Sequence, residues 1–210
     1  MITSYSGLLT ALTRLIDGED VSASEIPSAT LAQVIYLGEL RIYREIRTRY
    51  NEKAWGITTT SNLAALPADF QAASIVHFGK KPCRPVSEEW LISYLDDNPA
   101  GTTLWFAKVG TNLQFGPAVA DGTTVQGRYF YKMAALDETT LPTNTLFAVA
   151  EDLYLYAALA ESAPFFGQDA RLPMWEAKYQ SIKNRLNLND SRAATSAGRI
   201  QRKASTTLMR

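Results

Sequence analysis

TTVQGRYFYKM, residues 123–133, alternates strictly: Val125, Gly127, Tyr129, Tyr131 and Met133 share one side of an extended chain, and Gln126, Arg128, Phe130 and Lys132 share the other. Successive side chains of a strand point to opposite faces, so this stretch predicts a strand with one packed and one mostly polar face. Upstream, Thr103–Val109 and Asn112–Phe115 are two further strand candidates, joined at Gly110-Thr111, a tight hairpin signal. A short β-rich stretch, Ala73–Phe78, follows LPADF at residues 66–70 and closes on a turn at Gly79-Lys80-Lys81-Pro82. Between these, Ser87 with Glu88 and Glu89 reads as the capped start of a short helix that faces Trp90, Leu91 and Tyr94 inward. TTTSN at residues 58–62 reads as a turn.

Outward from this block the hydrophobic period changes from two to that of a helix. Ser4–Ile16 places Tyr5, Leu8, Leu12 and Leu15 on one stripe, with Ser4 as N-cap and Asp17-Gly18 as the stop. A long helix is expected over Ala29–Glu52, with Leu31, Val34, Ile35, Ile42, Ile46 and Tyr50 buried and Arg41, Arg44, Arg47 and Arg49 largely elsewhere. On the far side, Asn144–Phe166 is nearly apolar on two sides and breaks at Ala163-Pro164. Leu172, Trp175, Tyr179, Ile182 and Leu186 then mark a last helix over Ala170–Leu188. The expected fold is α+β, mainly α: a helical bundle (1–54 and 143–189) with an inserted small antiparallel β-subdomain (55–142) and an extended C-terminal tail (190–210).

The formal net charge is zero, but it is unevenly divided. The last 21 residues carry Arg192, Arg199, Arg202, Lys203 and Arg210 against Asp190, a local +4, and the first 189 carry 16 basic and 20 acidic side chains, a net −4. Such asymmetry marks an interaction tail on a mildly acidic body, and its few apolar residues leave it unable to fold alone. One cysteine, Cys83, excludes an intrachain disulfide and a multi-cysteine zinc site. The N-terminus lacks the basic start of a signal peptide, and no apolar run approaches the roughly 20 residues of a membrane span. A soluble protein made in a cytoplasm is expected.

Little in the chain suggests catalysis. The one histidine, His77, has no nucleophilic serine motif to serve and no ligand cluster around it, and no phosphate-binding glycine motif occurs. Glu88-Glu89, Asp96-Asp97, Asp137-Glu138 and Glu151-Asp152 are sequence neighbours, whose side chains diverge rather than face each other across a substrate. No enzyme, cofactor or metal is expected. Two other readings stay open: a nucleic-acid-binding protein using the basic tail and the arginine-rich helix, and a hydrolase with carboxylates drawn from separate segments.

The order of features also carries a likeness. LPADF precedes a β-rich insertion. DLYLYAALAESAPFF (152–166), Asp169-Ala170-Arg171 and a last helix with WEAKY (175–179) follow it, and a long arginine-rich helix with IYREIR (42–47) comes before. This order resembles the head-to-tail adaptor (connector-ring) proteins of tailed bacteriophages, particularly the larger adaptors of short-tailed phages. The resemblance spans about residues 4–188 and is one of pattern, since none of its motifs is a chemical signature. It implies a virion protein without a catalytic site, forming a homo-oligomeric ring of usually about twelve copies beneath the portal protein. Double-stranded DNA would pass through the ring without specific binding, and a nozzle or tail-tube protein would dock below. It further implies that the C-terminal extension docks on the portal, which assigns that role to Arg192, Arg199, Ile200, Arg202, Lys203 and Arg210. Arg41, Arg44, Arg47, Tyr154 and Tyr156 are then expected at subunit contacts. No membrane is involved.

Overall fold

The computed structural model describes residues 2–17, 26–98, 100–102, 105–166 and 170–196. The fold is mixed α+β. The chain divides into a helical unit, residues 1–46 with 150–210, and a sheet unit, residues 47–149. The boundaries expected at 54 and 142 differ from these: the first falls inside a strand, the second before a turn at 145–149.

The helical unit holds α1 (Tyr5–Asp17), α2 (Ser28–Glu45), α4 (Glu151–Glu161), α5 (Ala163–Phe166) and α6 (Leu172–Ser196). Ser4 Oγ accepts from the Gly7 amide at 3.3 Å, satisfying one orphan donor of the first turn. α4 is the centre and packs against α1, α2 and α6. Six of its eleven residues, Leu153, Tyr154, Leu155, Ala157, Ala158 and Leu159, are hydrophobic and buried, as a central helix requires. At the α2–α4 crossing, Gly38 lets two backbones meet: a Cβ there would lie 2.7 Å from the Ala158 amide nitrogen.

Three helix boundaries depart from the sequence reading. α2 ends at Glu45 rather than Glu52, because the β-branched Ile46 and Thr48 take extended backbone and a short 3-10 turn, Arg49–Asn51, follows. Asn51 Oδ1 accepts from the Thr48 amide at 2.7 Å, which fixes that turn. α4 begins at Glu151, not Asn144: the Asn144 side chain accepts from the Phe147 amide (2.8 Å) and holds residues 145–149 in turns. α6 runs to Ser196, eight residues past the expected end and into the stretch expected to be extended tail, where nothing before Gly198 breaks a helix.

The sheet unit contains eight strands: β1 (Glu52–Thr58), β2 (Leu63–Ala65), β3 (Phe70–Phe78), β4 (Lys81–Pro82), β5 (Arg84–Pro85), β6 (Trp105–Val109), β7 (Asn112–Gly116) and β8 (Thr124–Tyr131). They form two four-stranded sheets, β1-β8-β3-β4 and β2-β7-β6-β5, antiparallel except where β5 meets β6. The alternation of residues 123–133 is realised: Val125, Gly127 and Tyr129 are buried and Gln126 and Arg128 exposed. Inward residues of both sheets, among them Trp55, Val76, Phe106, Leu113, Phe115 and Val125, make one apolar core. β1 is absent from the strand candidates of the sequence, yet it pairs with β8 over all seven residues. α3 (Glu88–Asp97) is capped as expected, Ser87 Oγ accepting from the Trp90 amide at 3.3 Å. Its Leu91 is buried, but Trp90, expected to face inward, is 42 % exposed. Burial pushes the Cys83 thiol up to about 11, so it packs as a neutral side chain.

Candidate functional site

Arg41 is the organising cation of the helical unit. It leaves the exposed side of α2 with only 19 % of its side chain accessible, and three carboxylates surround it. Its Nε donates to Glu45 Oε1 (3.2 Å), one terminal nitrogen to Glu161 Oε1 (3.4 Å) and the other to Glu176 Oε1 (2.6 Å). The guanidinium also lies 4.4 Å from the centroid of the Tyr179 ring. Glu45 Oε2 accepts in turn from the Tyr179 hydroxyl (3.0 Å) and from Lys183 Nζ (2.9 Å). The cluster ties α2, α4 and α6 together through one planar, multidentate group. Burial works against the Arg41 charge, but the Glu176 hydrogen bond and the facing carboxylates outweigh it, and the guanidinium pKa is raised. Burial likewise opposes the Glu45 charge, and the Lys183 and Tyr179 hydrogen bonds overcome it, so that carboxyl lies below its usual range. Glu176 is lowered chiefly by the Arg41 hydrogen bond.

The residues expected at subunit contacts therefore separate. Arg41 is engaged inside the chain. Tyr154 is 2 % exposed within the helical unit, near the buried pair Tyr43 and Glu39, where the Tyr43 hydroxyl donates to Glu39 Oε1 at 3.4 Å. Burial first, then the nearby Tyr154 and Glu39, push the Tyr43 hydroxyl above its ordinary range. Tyr156 is half-buried. Arg44, in the last turn of α2, and Arg47 just beyond it are exposed and make no ion pair among the described residues. Of the residues expected to dock on the portal, Arg192 sits exposed on α6. Arg199, Ile200, Arg202, Lys203 and Arg210 lie outside the described residues.

In the sheet unit the polar hub is Asp69, within the LPADF segment. Its Oδ2 accepts from Lys53 Nζ (2.7 Å) and its Oδ1 from the Tyr129 hydroxyl (2.8 Å). Lys53 lies 3.9 Å from the Tyr131 ring centroid, and Phe70 stacks on Tyr129 at 5.6 Å. The Lys53 hydrogen bond holds the Asp69 carboxyl below its usual range against a smaller effect of burial. Burial and the Asp69 hydrogen bond push the Tyr129 hydroxyl up to about 12. LPADF thus clips the approach to β3 onto β1 and β8, a role its sequence did not disclose.

The neighbouring acids have local tasks. Glu88-Glu89 and Glu151-Asp152 occupy the first turns of α3 and α4, where acids complement the helix dipole. Asp137 accepts from the Thr139 and Thr140 amides and from the Thr140 hydroxyl. Among the described residues no group of three His, Cys, Asp or Glu side chains is arranged to hold a metal ion, and no helix is long and apolar enough to cross a membrane.

The family model for the SU10 adaptor protein matches residues 3–202, nearly the whole chain. No curated protein matches it.

Proposed function

The chain belongs to the SU10 adaptor protein family, a phage head-tail adaptor and structural component of the virion, and from that premise we propose that it acts as a ring. The ring, of about twelve copies, joins the portal to the tail of a short-tailed phage and continues the DNA channel, with a nozzle or tail-tube protein below it. The role is one of binding and needs no catalysis. The observation that supports it is the asymmetry of α6. Trp175, Tyr179, Ile182 and Leu186 anchor its first half, yet no residue from 187 to 193 is buried and Leu188 is 57 % exposed. In this reading the end of α6 leads in sequence into the basic stretch that begins at Arg192 and includes Arg199, Ile200, Arg202, Lys203 and Arg210. That stretch then pairs with portal carboxylates, and many weak copies around one ring add up to firm attachment.

The competing nucleic-acid reading needs the α2 arginines as phosphate contacts, and the commitment of Arg41 to three carboxylates removes one of them. Deletion of residues 197–210 tests the portal reading. The expected result is an unchanged circular dichroism spectrum and thermal transition, with binding to portal-bearing heads lost. Normal occupancy of heads by the truncated chain would overturn it.

A further inference from the structure

On α3 two large apolar side chains face solvent, Trp90 and Ile92, the latter 51 % exposed. The Trp90 indole is held in place nonetheless: it stacks on Tyr94 (4.8 Å, 15°) and meets Trp105 edge-on at 5.2 Å, while Arg84 lies 5.8 Å from the Trp105 ring. Buried Leu91 anchors the helix beneath it. Helical spacing puts Glu89, Ser93, Asp96 and Asp97 on the outward arc, between the two apolar residues. Glu88, Glu89, Asp96 and Asp97 make no ion pair among the described residues. A fixed, half-exposed tryptophan beside unpaired carboxylates is a pre-organised anchor for a partner, and the partner it fits carries a guanidinium, which pairs with carboxylates and stacks on rings.

We propose that this face of α3 docks a second copy of the chain by accepting Arg44 and Arg47 of the neighbour. The helical unit shows the same chemistry already occupied, where Arg41 lies between carboxylates and over the Tyr179 ring. α3 presents the Trp90 ring and carboxylates that make no ion pair among the described residues, the nearby Arg84 lying over Trp105 instead. Arg44 and Arg47, three residues apart, exposed and unpaired among the described residues, present the cation without the ring. Every copy offers both donor and acceptor residues, so in the ring reading the contact repeats from one copy to the next. The inference rests on the ring reading above and names the surfaces that would build it.

Mixing two full-length chains, one carrying Arg47→Cys and the other Asp96→Cys, under mild oxidation tests the contact; native Cys83 is buried and does not compete. The mixed disulfide dimer is expected to dominate over both homodimers. Adding Glu89→Arg and Asp97→Arg to the acceptor chain is expected to cut its yield about tenfold or more, and Arg44→Glu on the donor chain to restore it. Equal yields of all three dimers, or a yield indifferent to the charge reversals, would overturn the proposal. So would displacement by a synthetic peptide of residues 197–210, which would make the C-terminal segment the occupant. If cross-linking fails while the native chain still assembles on portal-bearing heads, the α3 contact is wrong and the adaptor ring stands. If the dimer forms as expected but the native chain never binds heads, the contact holds and the ring-on-portal reading falls.

Discussion

The helical and sheet units each depend on a glycine where two segments nearly touch, but they place their polar groups differently. At Gly38 a Cβ would lie 2.7 Å from the Ala158 nitrogen, and at Gly127 one would lie 2.3 Å from the Ile75 carbonyl oxygen. In the sheet unit the core is apolar and the charged ties, Lys53–Asp69 and Arg128–Glu52, sit toward its surface. In the helical unit a charged cluster runs along the seam of α2, α4 and α6, and Glu39 is buried as well. The difference shows where each unit gets its uniqueness. A one-residue slip of a strand turns its apolar face outward, so pleat alone fixes register. Apolar helix stripes specify register less sharply, and here the Gly38 crossing and the Arg41 cluster are what a slid helix would break.

The contrast can be broken at three points of decreasing severity. Phe115→Ala removes a fully buried ring from the sheet core and is expected to destabilise by about 3–5 kcal/mol. Hydrogen exchange should show protection lost across residues 47–149 and kept in α2 and α4; equal loss in both units would mean that they share one cooperative transition. Gly38→Ala sets a Cβ against backbone that cannot yield by a rotamer change, and a cost of about 1–3 kcal/mol is expected in urea denaturation. Helix propensity pulls the other way by up to about 1 kcal/mol, so a stabilised variant would refute the close crossing.

Arg41→Gln is the mildest change, about 1–2 kcal/mol for charge-assisted hydrogen bonds at a partly exposed site. Its signature is in pH. Glu45 and Glu176 have folded pKa values below their ordinary 4.5, so the stability they contribute is present above that value and is lost as pH falls through the lowered ones. The gap between native chain and variant should be widest near about pH 7 and close in acid. A gap that stays constant down to about pH 3 would show that Arg41 acts through packing rather than charge.

Much of this architecture was legible from periodicity, and the failures have physical causes. The alternating strand within residues 123–133, observed over Thr124–Tyr131, the hairpin at Gly110 and the Ser87 cap are local patterns and formed. Ile42 and Ile46 are both fully buried at helical spacing although α2 stops between them, so burial continued a stripe that the backbone had left. β1, EKAWGIT, has exposed Ala54 and Gly56 in place of polar alternation, and its pairing with β8 makes it a strand. At the Arg41 cluster only Glu45 was near in sequence. Glu161 and Glu176 lie 120 and 135 residues away, and no local signal announces such partners.

The insertion of the sheet unit between α2 and α4 also sets an order in time. α2 ends at Glu45 and its packing partner α4 begins at Glu151, so about a hundred residues must be synthesised before the two can meet. At roughly 5–20 residues per second the apolar stripe of α2 waits at least several seconds on the ribosome. The sheet unit is completed by β8 in that interval, and a folded insert spans its loop at a smaller closure entropy than a loose chain of the same length. The bundle is therefore the last part of the molecule to close, and nascent chains stalled before Glu151 expose the stripe that chaperones or aggregation would find first.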